Sequence, residues 1–138
     1  MLLHLSPADG IIPCLLEVFA IIQADYTSGE RIVYFNNTTS GALLRAMAES
    51  DRAWVEDEKV LKSFEYERVS DLFELAEKLR QGADLVIIER LDRIARESGP
   101  ESYNRQNEAV AEIMNLLPDD AVFIDDWAYL EEYYSFDE

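Results

Sequence analysis

The sequence predicts a three-layer α/β domain, in which a mostly parallel sheet carries helices on both faces. Apolar runs of strand length alternate with segments of helix length along the chain, and each crossover between parallel strands needs a connection of that length. The run 31–35 is apolar at every position after Arg31, and the run 85–88 is apolar throughout, which is typical of strands covered on both faces. With 138 residues, 49% of them hydrophobic, the chain is long enough to bury one core.

Turn formers and helical spacing define the first two elements. The apolar run 2–5 ends at a cluster of turn-forming residues, 6–10, and predicts a strand. In the segment 11–25, apolar side chains recur at helical spacing. Pro13 falls in the first turn of this segment, where a helix tolerates a missing N–H. We therefore expect a strand, a loop and a helix in this order.

The next part of the chain predicts a second strand and helix, followed by a further strand. The run 31–35 is β-branched and aromatic, which favours a strand. A helix is expected at 41–49, with Thr39 or Ser40 as its N-cap. The segment 59–66 predicts a short strand.

The central part of the chain carries the strongest strand signal. A helix is predicted at 70–81, because Ser70 and Glu74 resemble a capping box and Gly82 follows as a helix stop. The run 83–89 contains four consecutive large apolar residues and ends on a carboxylate. It is therefore expected at a central position in the sheet.

The last part of the chain predicts one more helix and one more strand. The polar segment 93–104 contains a Gly-Pro pair and is expected to be an exposed connection. An amphipathic helix is predicted at 103–117 and a strand at 121–124. Residues 1–126 should thus form a single α/β domain, followed by an acidic, aromatic segment at 127–138.

Charge and cysteine content exclude several classes of protein. The chain has 29 acidic and 12 basic residues and a net charge of −17, so autonomous binding to nucleic acid is not expected. The single cysteine, Cys14, excludes an internal disulfide, and the single histidine, His4, leaves no zinc cluster. We interpret Cys14 as a buried side chain and His4 as a core or strand-edge residue. Without a membrane span or signal peptide, an intracellular protein, cytoplasmic or nuclear, is expected.

The segment between the first strand and the first helix has the position of a phosphate-binding loop but lacks its chemistry. Such a loop needs glycines, a lysine and a hydroxyl residue to hold the phosphates and the magnesium ion. The segment begins at Ser6 and has Gly10 as its only glycine. Ile12 then occupies the lysine position and Pro13 the hydroxyl position.

The order of these elements resembles the RecA-like ATPase core, particularly its RadA, KaiC-like and recombinase-paralogue branch. In that family a carboxylate that positions the attacking water follows the second strand, where this chain has Asn36. An aspartate that orients the magnesium ion ends the Walker B strand, where this chain has Glu89. The resemblance therefore implies a pseudo-ATPase with a degenerate nucleotide site and no cofactor.

The resemblance also implies a role. A domain of this family without catalysis would act as an accessory or binding protein in a DNA recombination or repair complex, through protein–protein contacts. The implied partner is a RecA-family paralogue or another basic DNA-binding protein, which would supply the contacts with DNA.

The C-terminal segment combines large apolar side chains with acids and has no lysine or arginine. This composition is typical of a segment that docks on a basic partner. The equally weighted alternative is a last amphipathic helix that packs on the protein's own sheet. In the first case the partner-binding residues are Trp127, Tyr129, Leu130, Tyr133, Tyr134 and Phe136.

Two other functions are compatible with the sequence. An acidic protein can imitate a phosphate backbone and inhibit a nucleic-acid-binding protein, which requires carboxylates along one continuous face. A metal-dependent enzyme would instead use the strand-end carboxylates Glu89, Asp92 and Asp125 as ligands of a cation. Because a chain this acidic brings carboxylates together by chance, we interpret these three as solvated strand ends.

Overall fold

The computed structural model describes residues 2–25, 30–50, 62, 64–97 and 103–125. In these residues five strands form one sheet in which every neighbouring pair is parallel. Their order across the sheet is β1-β5-β4-β2-β3, so β1 and β3 form its edges. In chain order the strands are β1 (Leu2–Leu5), β2 (Ile32–Asn36), β3 (Phe64–Arg68), β4 (Leu85–Glu89) and β5 (Asp120–Ile124).

Helix-length crossovers join these strands, as the alternation of the sequence predicts. A short 3-10 helix, Pro7–Asp9, precedes the first α-helix. Within the described residues, no helix combines the length and the apolar composition that a membrane span requires. The α-helices are α1 (Ile11–Asp25), α2 (Gly41–Glu49), α3 (Leu72–Leu79), α4 (Leu91–Glu97) and α5 (Tyr103–Leu116).

The two faces of the sheet carry different helices. Ile32 and Tyr34 of β2 pack with α1 and α2. Val33 and Phe35 of the same strand point to the opposite face, where they pack with α3, α4 and α5. The inner strands β2 and β4 are buried at every position. The predicted α/β architecture, with a parallel sheet and helices on both faces, is confirmed.

The segment after β4 differs from its prediction. We expected an exposed connection at 93–104, but the structure has helix α4 at Leu91–Glu97. Leu91, Ile94 and Ala95 of this helix are buried in the core. Their spacing of three and four residues is a helical stripe, and the charged residues between them conceal it in the sequence.

The N-cap of helix α3 lies one residue after the predicted N-cap. The N-cap is Asp71, whose Oδ1 accepts a hydrogen bond from Glu74 N at 2.8 Å. Glu74 Oε1 in turn accepts a bond from Ser70 N at 3.0 Å. In a capping box, the N-cap side chain accepts a hydrogen bond from the backbone N–H three positions further along the chain. Asp71, and not Ser70, has this spacing to Glu74.

Two predictions lie partly or wholly outside the described residues. The strand predicted at 59–66 corresponds to β3, which begins at Phe64, and positions 59–61 and 63 are outside the described part. The segment 127–138, with all six residues assigned to partner binding, is outside it as well.

The topology creates a crevice at the carboxyl ends of β2 and β4. From β2 the chain passes into α2 on one face of the sheet, and from β4 it passes into α4 on the other face. Because the two strands are neighbours, the connections that follow them diverge and leave a gap. In open α/β sheets ligands bind at such a position.

We expect the buried face of α3 to contribute far more stability than the exposed face of α2. Leu75→Ala should lower the free energy of unfolding by about 2–5 kcal/mol, because Leu75 is fully buried and its truncation leaves a cavity. Leu44, which is 60% exposed on a helix, provides the matched control, and Leu44→Ala should change the free energy by less than about 0.5 kcal/mol. Urea denaturation measures both, and equal losses would contradict the packing described.

Candidate functional site

The loop that follows β1 forms a closed turn. Ser6 caps the 3-10 helix, and its Oγ accepts a hydrogen bond from Ala8 N at 3.4 Å. Gly10 N donates to Pro7 O at 2.9 Å, and the φ of Gly10 is 101°, a value that favours glycine. Pro13 has no N–H to donate. The amides of Ala8 and Gly10 are therefore used within the loop.

The surroundings of this loop are acidic. Burial raises the pKa of the Cys14 thiol, and the nearby carboxylates of Glu17 and Asp9 raise it further. Cys14 is buried, as expected. Negative charge at this position opposes the binding of a phosphate. A cavity of about 250 Å³ beside the loop is lined by Ser6, Asp9, Gly10, Pro13, Cys14 and Glu17, among others.

Glu89, at the end of β4, is a buried carboxylate whose two oxygens both accept hydrogen bonds. Tyr34 OH donates to Oε1 at 2.6 Å, and Asn36 Nδ2 donates to Oε2 at 3.1 Å. Burial raises the pKa of Tyr34, and the charge of Glu89 and the hydrogen bond to it raise this pKa further. The phenol therefore stays protonated and acts as the donor. Both donors belong to β2, so this strand holds the carboxylate.

Asn36 is the centre of this polar cluster. Its Nδ2 also donates to Thr39 O at 2.8 Å. Its Oδ1 accepts bonds from Tyr66 OH at 2.5 Å and from Thr38 N at 3.2 Å. With Glu89 as the fourth partner, the hydrogen-bonding capacity of the amide is fully used. The cluster thus fixes the loop after β2 against β3 and β4.

Asp125, directly after β5, is fully buried and links three elements. Its N–H donates to Leu5 O of β1 at 3.2 Å, and its carbonyl accepts a bond from His4 Nε2 at 2.6 Å. Its Oδ2 accepts a bond from Asp92 N, in the first turn of α4, at 3.0 Å. Asp125 therefore caps α4 from another strand, and His4 is a strand-edge residue, as expected.

Arg90 occupies the sharp turn between β4 and α4. Its φ is 60°, which is uncommon for a residue other than glycine. Its N–H donates to Ile124 O at 2.7 Å. Its guanidinium donates two bonds to the carboxylate of Asp92, at 3.0 and 2.9 Å. These contacts on both sides hold the turn in a conformation that is costly by itself.

Arg90 also keeps the carboxyl of Asp92 ionised. Burial alone would raise the pKa of Asp92. Its side-chain contact with Asp125 and the hydrogen bonds and charge of Arg90 outweigh this effect, so that the pKa lies below its ordinary value.

The strand-end carboxylates are not the solvated groups that we expected. Glu89 and Asp125 are buried, and the side chain of Asp92 is only 13% exposed. The expectation is wrong because protein donors take the place of water. Glu89 receives them from β2, Asp125 from the first turn of α4 and Asp92 from Arg90. In the described ranges, no group of three or more histidine, cysteine, aspartate and glutamate residues has an arrangement that could hold a metal ion.

Two clefts open at the crevice between β2 and β4. One, of about 350 Å³, lies between the β1 loop and α2, and its lining includes Pro7, Ile11, Thr38, Thr39, Glu89 and Arg93. The other has a volume of about 460 Å³ and is called here the three-arginine cleft. It is lined by Asn37, Thr38, Arg68, Ser70, Arg93 and Arg96.

Sequence reasoning missed these three arginines. Arg68 is the last residue of β3, and Arg93 and Arg96 belong to α4, the helix that the sequence did not predict. The available signal was the spacing of Arg93 and Arg96, which places two cations on one face of a helix. Their proximity to Arg68 depends on the order of the strands and is not visible in the sequence.

The structure separates the residues of the predicted nucleotide site. Asn36 and Glu89 are in contact at the crevice. Ile12, in the first turn of α1, is half-buried against the core. The other three residues assigned to that site line the acidic cavity; they are Ser6, Gly10 and Pro13. Pro7 of the same loop and Ile11 of α1 line the cleft at the crevice.

We expect Tyr34→Phe to destabilise the protein, because it removes one of the two donors to a buried carboxylate. The free energy of unfolding should fall by about 1.5–3 kcal/mol. Tyr66→Phe is the matched control, since its hydroxyl bonds the neutral amide of Asn36, and it should cost about 0.5–1.5 kcal/mol. In a Glu89→Gln background the cost of Tyr34→Phe should shrink; an unchanged cost would show that the charge is irrelevant.

We expect the stabilisation by Asp92 to depend on pH. Asp92→Asn should lower the free energy of unfolding by about 1–2 kcal/mol at pH 7, because it weakens a bidentate ion pair. Since the pKa of Asp92 is lowered in the folded state, this contribution is present above the unfolded pKa and is lost below about pH 4. Urea denaturation at a series of pH values between pH 3 and pH 7 measures this contribution. Gln23→Ala, which removes no ionisable group from an exposed position, should give no such trend, and a gap that persists at the lowest pH would contradict the assignment.

The comparisons with known proteins add no family to this description. No protein-family model matches the chain, and no curated protein matches its sequence. The relation to the RecA-like family therefore stays a prediction.

Proposed function

We propose that this protein is a non-catalytic RecA-like domain that acts by binding another protein in a DNA recombination or repair complex. The loop after β1 carries the proposal, because it has the position of a phosphate-binding loop and none of its chemistry. Ala8 and Gly10 use their amides within the loop. Ile12 and Pro13 stand where a lysine and a hydroxyl residue would be. The acidic cavity beside the loop adds a further barrier to phosphate.

The carboxylate at the end of β4 supports the same conclusion. A residue that orients a magnesium ion must offer an oxygen to the ion or to its water shell. In Glu89 both oxygens accept bonds from buried donors, Tyr34 and Asn36. A metal ion would have to share these oxygens with the two donors that already hold the carboxylate in place. The carboxylate therefore serves the fold and has no need of a metal ion.

The two edges of the sheet differ in a way that supports protein binding at β1. At one edge, β3 carries Glu65, Glu67 and Arg68, and charged side chains protect an edge strand from pairing. At the other edge, β1 has the sequence LLHL and pairs only with β5 among the described strands. An uncharged edge strand accepts an added strand from a partner far more readily.

The charge of the chain supports a basic partner. A net charge of −17 attracts a basic protein and speeds the encounter. The same charge repels the phosphates of nucleic acid, so contacts with DNA fall to the partner. A RecA-family subunit that adds an extended strand at β1 meets both requirements.

Turnover and hydrogen exchange test the proposal. The purified chain with magnesium and ATP should release no phosphate above a buffer blank. In a mixture with the purified RecA-family recombinase of the same organism, the amides of Leu2–Leu5 should gain protection from hydrogen exchange, whereas those of Phe64–Arg68 at the opposite edge should not. Turnover by the chain, absence of association, or protection at Phe64–Arg68 in place of Leu2–Leu5 would contradict the proposal.

A matched pair of variants sharpens the same experiment. Leu2→Lys places a charge on the β1 edge and should weaken the association at least about tenfold. Gln81→Lys adds the same charge at an exposed position after α3 and should leave the association unchanged. Circular dichroism checks that both variants are folded, and equal effects would show that charge alone, and not the edge, is responsible.

A further inference from the structure

The geometry points to a second binding function: the three-arginine cleft binds the phosphate group of a small phosphorylated compound. The cleft combines Arg68 from the end of β3 with Arg93 and Arg96 from α4. These are three of the nine arginines of the chain. The cleft lies at the carboxyl ends of the parallel strands, where ligands of open α/β sheets bind. It is separate from the acidic cavity beside the β1 loop.

The arginines of this cleft are not neutralised by the described side chains. Among the described residues, Arg68 and Arg93 form no ion pair with an acidic side chain, although the chain has 29 acidic residues. Arg96 approaches Asp92 at 3.8 Å, but Asp92 is already held by Arg90 at 2.9 Å. Positive charge therefore remains for an external anion. By contrast, the arginines that pair with an acid elsewhere in the described part are Arg31, Arg45, Arg80 and Arg90.

The other groups of the cleft suit the same ligand. Asn37, Thr38 and Ser70 contribute an amide and two hydroxyls, and no carboxylate is among the described residues that line the cleft. A phosphate monoester carries up to two charges and three terminal oxygens, each of which accepts hydrogen bonds. Guanidinium groups bind such oxygens in pairs, through parallel N–H bonds. A phosphate therefore uses these donors better than a carboxylate does.

The size of the cleft favours a small molecule. Its volume of about 460 Å³ lies within the range of roughly 300–1,000 Å³ that is typical of small-molecule sites. A nucleic acid would extend beyond the cleft across a surface with a net charge of −17, which repels its backbone. A compact anion meets only the local field of the arginines.

Isothermal titration tests this inference with three probes: inorganic phosphate, ribose 5-phosphate and AMP. We expect at least one of the two monoesters, ribose 5-phosphate and AMP, to bind with a stoichiometry of one. Its affinity should fall as salt is added, because salt screens the charges of the arginines. Binding of ribose 5-phosphate alone identifies a sugar phosphate, and tighter binding of AMP identifies a nucleotide. Ribose and adenosine, which lack the phosphate, should not bind.

Substitutions on two separate elements locate the site. Arg93→Gln on α4 and Arg68→Gln on β3 should each weaken the binding at least about tenfold, because each removes a charge-assisted contact. Arg45→Gln removes the same charge from the exposed face of α2 and should change the affinity less than about twofold. Thermal unfolding checks that the variants are folded.

Three results would overturn the inference. The first is the absence of binding of both monoesters. The second is an equal loss of affinity in Arg45→Gln and Arg93→Gln, which would mean a diffuse effect of charge. The third is binding of a single-stranded DNA 12-mer, a probe of the polyanion mode, that depends on Arg93 while the monoesters do not bind.

Discussion

Burial of two carboxyl groups at the carboxyl ends of β4 and β5 is the constraint on which the rest of the site depends. A buried carboxyl group loses its hydration, at a cost of several kcal/mol, unless protein partners replace the water. Glu89 receives its donors from the side chains of Tyr34 and Asn36. Asp125 receives one from the backbone of Asp92. Because the donors come from neighbouring elements, satisfying the two carboxyl groups also fixes where β2, β4, β5 and α4 meet.

This arrangement has opposite effects on the acids and the arginines. The strand-end acids Glu89 and Asp125 are buried and accept hydrogen bonds from protein donors. The start of α4 is held by Asp125 and Arg90, and the helix then directs Arg93 and Arg96 toward the crevice. A chain with a net charge of −17 thus acquires a local positive field. It can repel nucleic acid as a whole and still attract a compact anion.

The strands and helices were largely predictable, because the periodicity that defines them is local. The predicted helices at 11–25 and 41–49 have the bounds of α1 and α2. Helix α4 escaped prediction, since its apolar stripe is short and interrupted by charged residues. The position of the β1 loop also followed from the sequence. The loop consists of turn formers that follow the apolar run 2–5 and precede the helical spacing that begins at residue 11.

The contacts of the site were not predictable in the same way. Asn36 and Glu89 are 53 positions apart, and His4 and Asp125 are 121 apart. The rule that parallel strands end at one edge brings such residues to the same region, but it does not say which donor meets which carboxylate. For this reason Glu89 and Asp125 were expected in solvent and are buried.

We infer that phosphate is excluded from the loop after β1 and is attracted to the three-arginine cleft. Nuclear magnetic resonance of the ¹⁵N-labelled chain, titrated with AMP, tests both inferences in one spectrum. We expect the amide signals of Thr38, Ser70 and Arg93 to shift, while those of Ala8 and Gly10 stay in place. Shifts at Ala8 and Gly10 with none at the cleft would contradict both inferences.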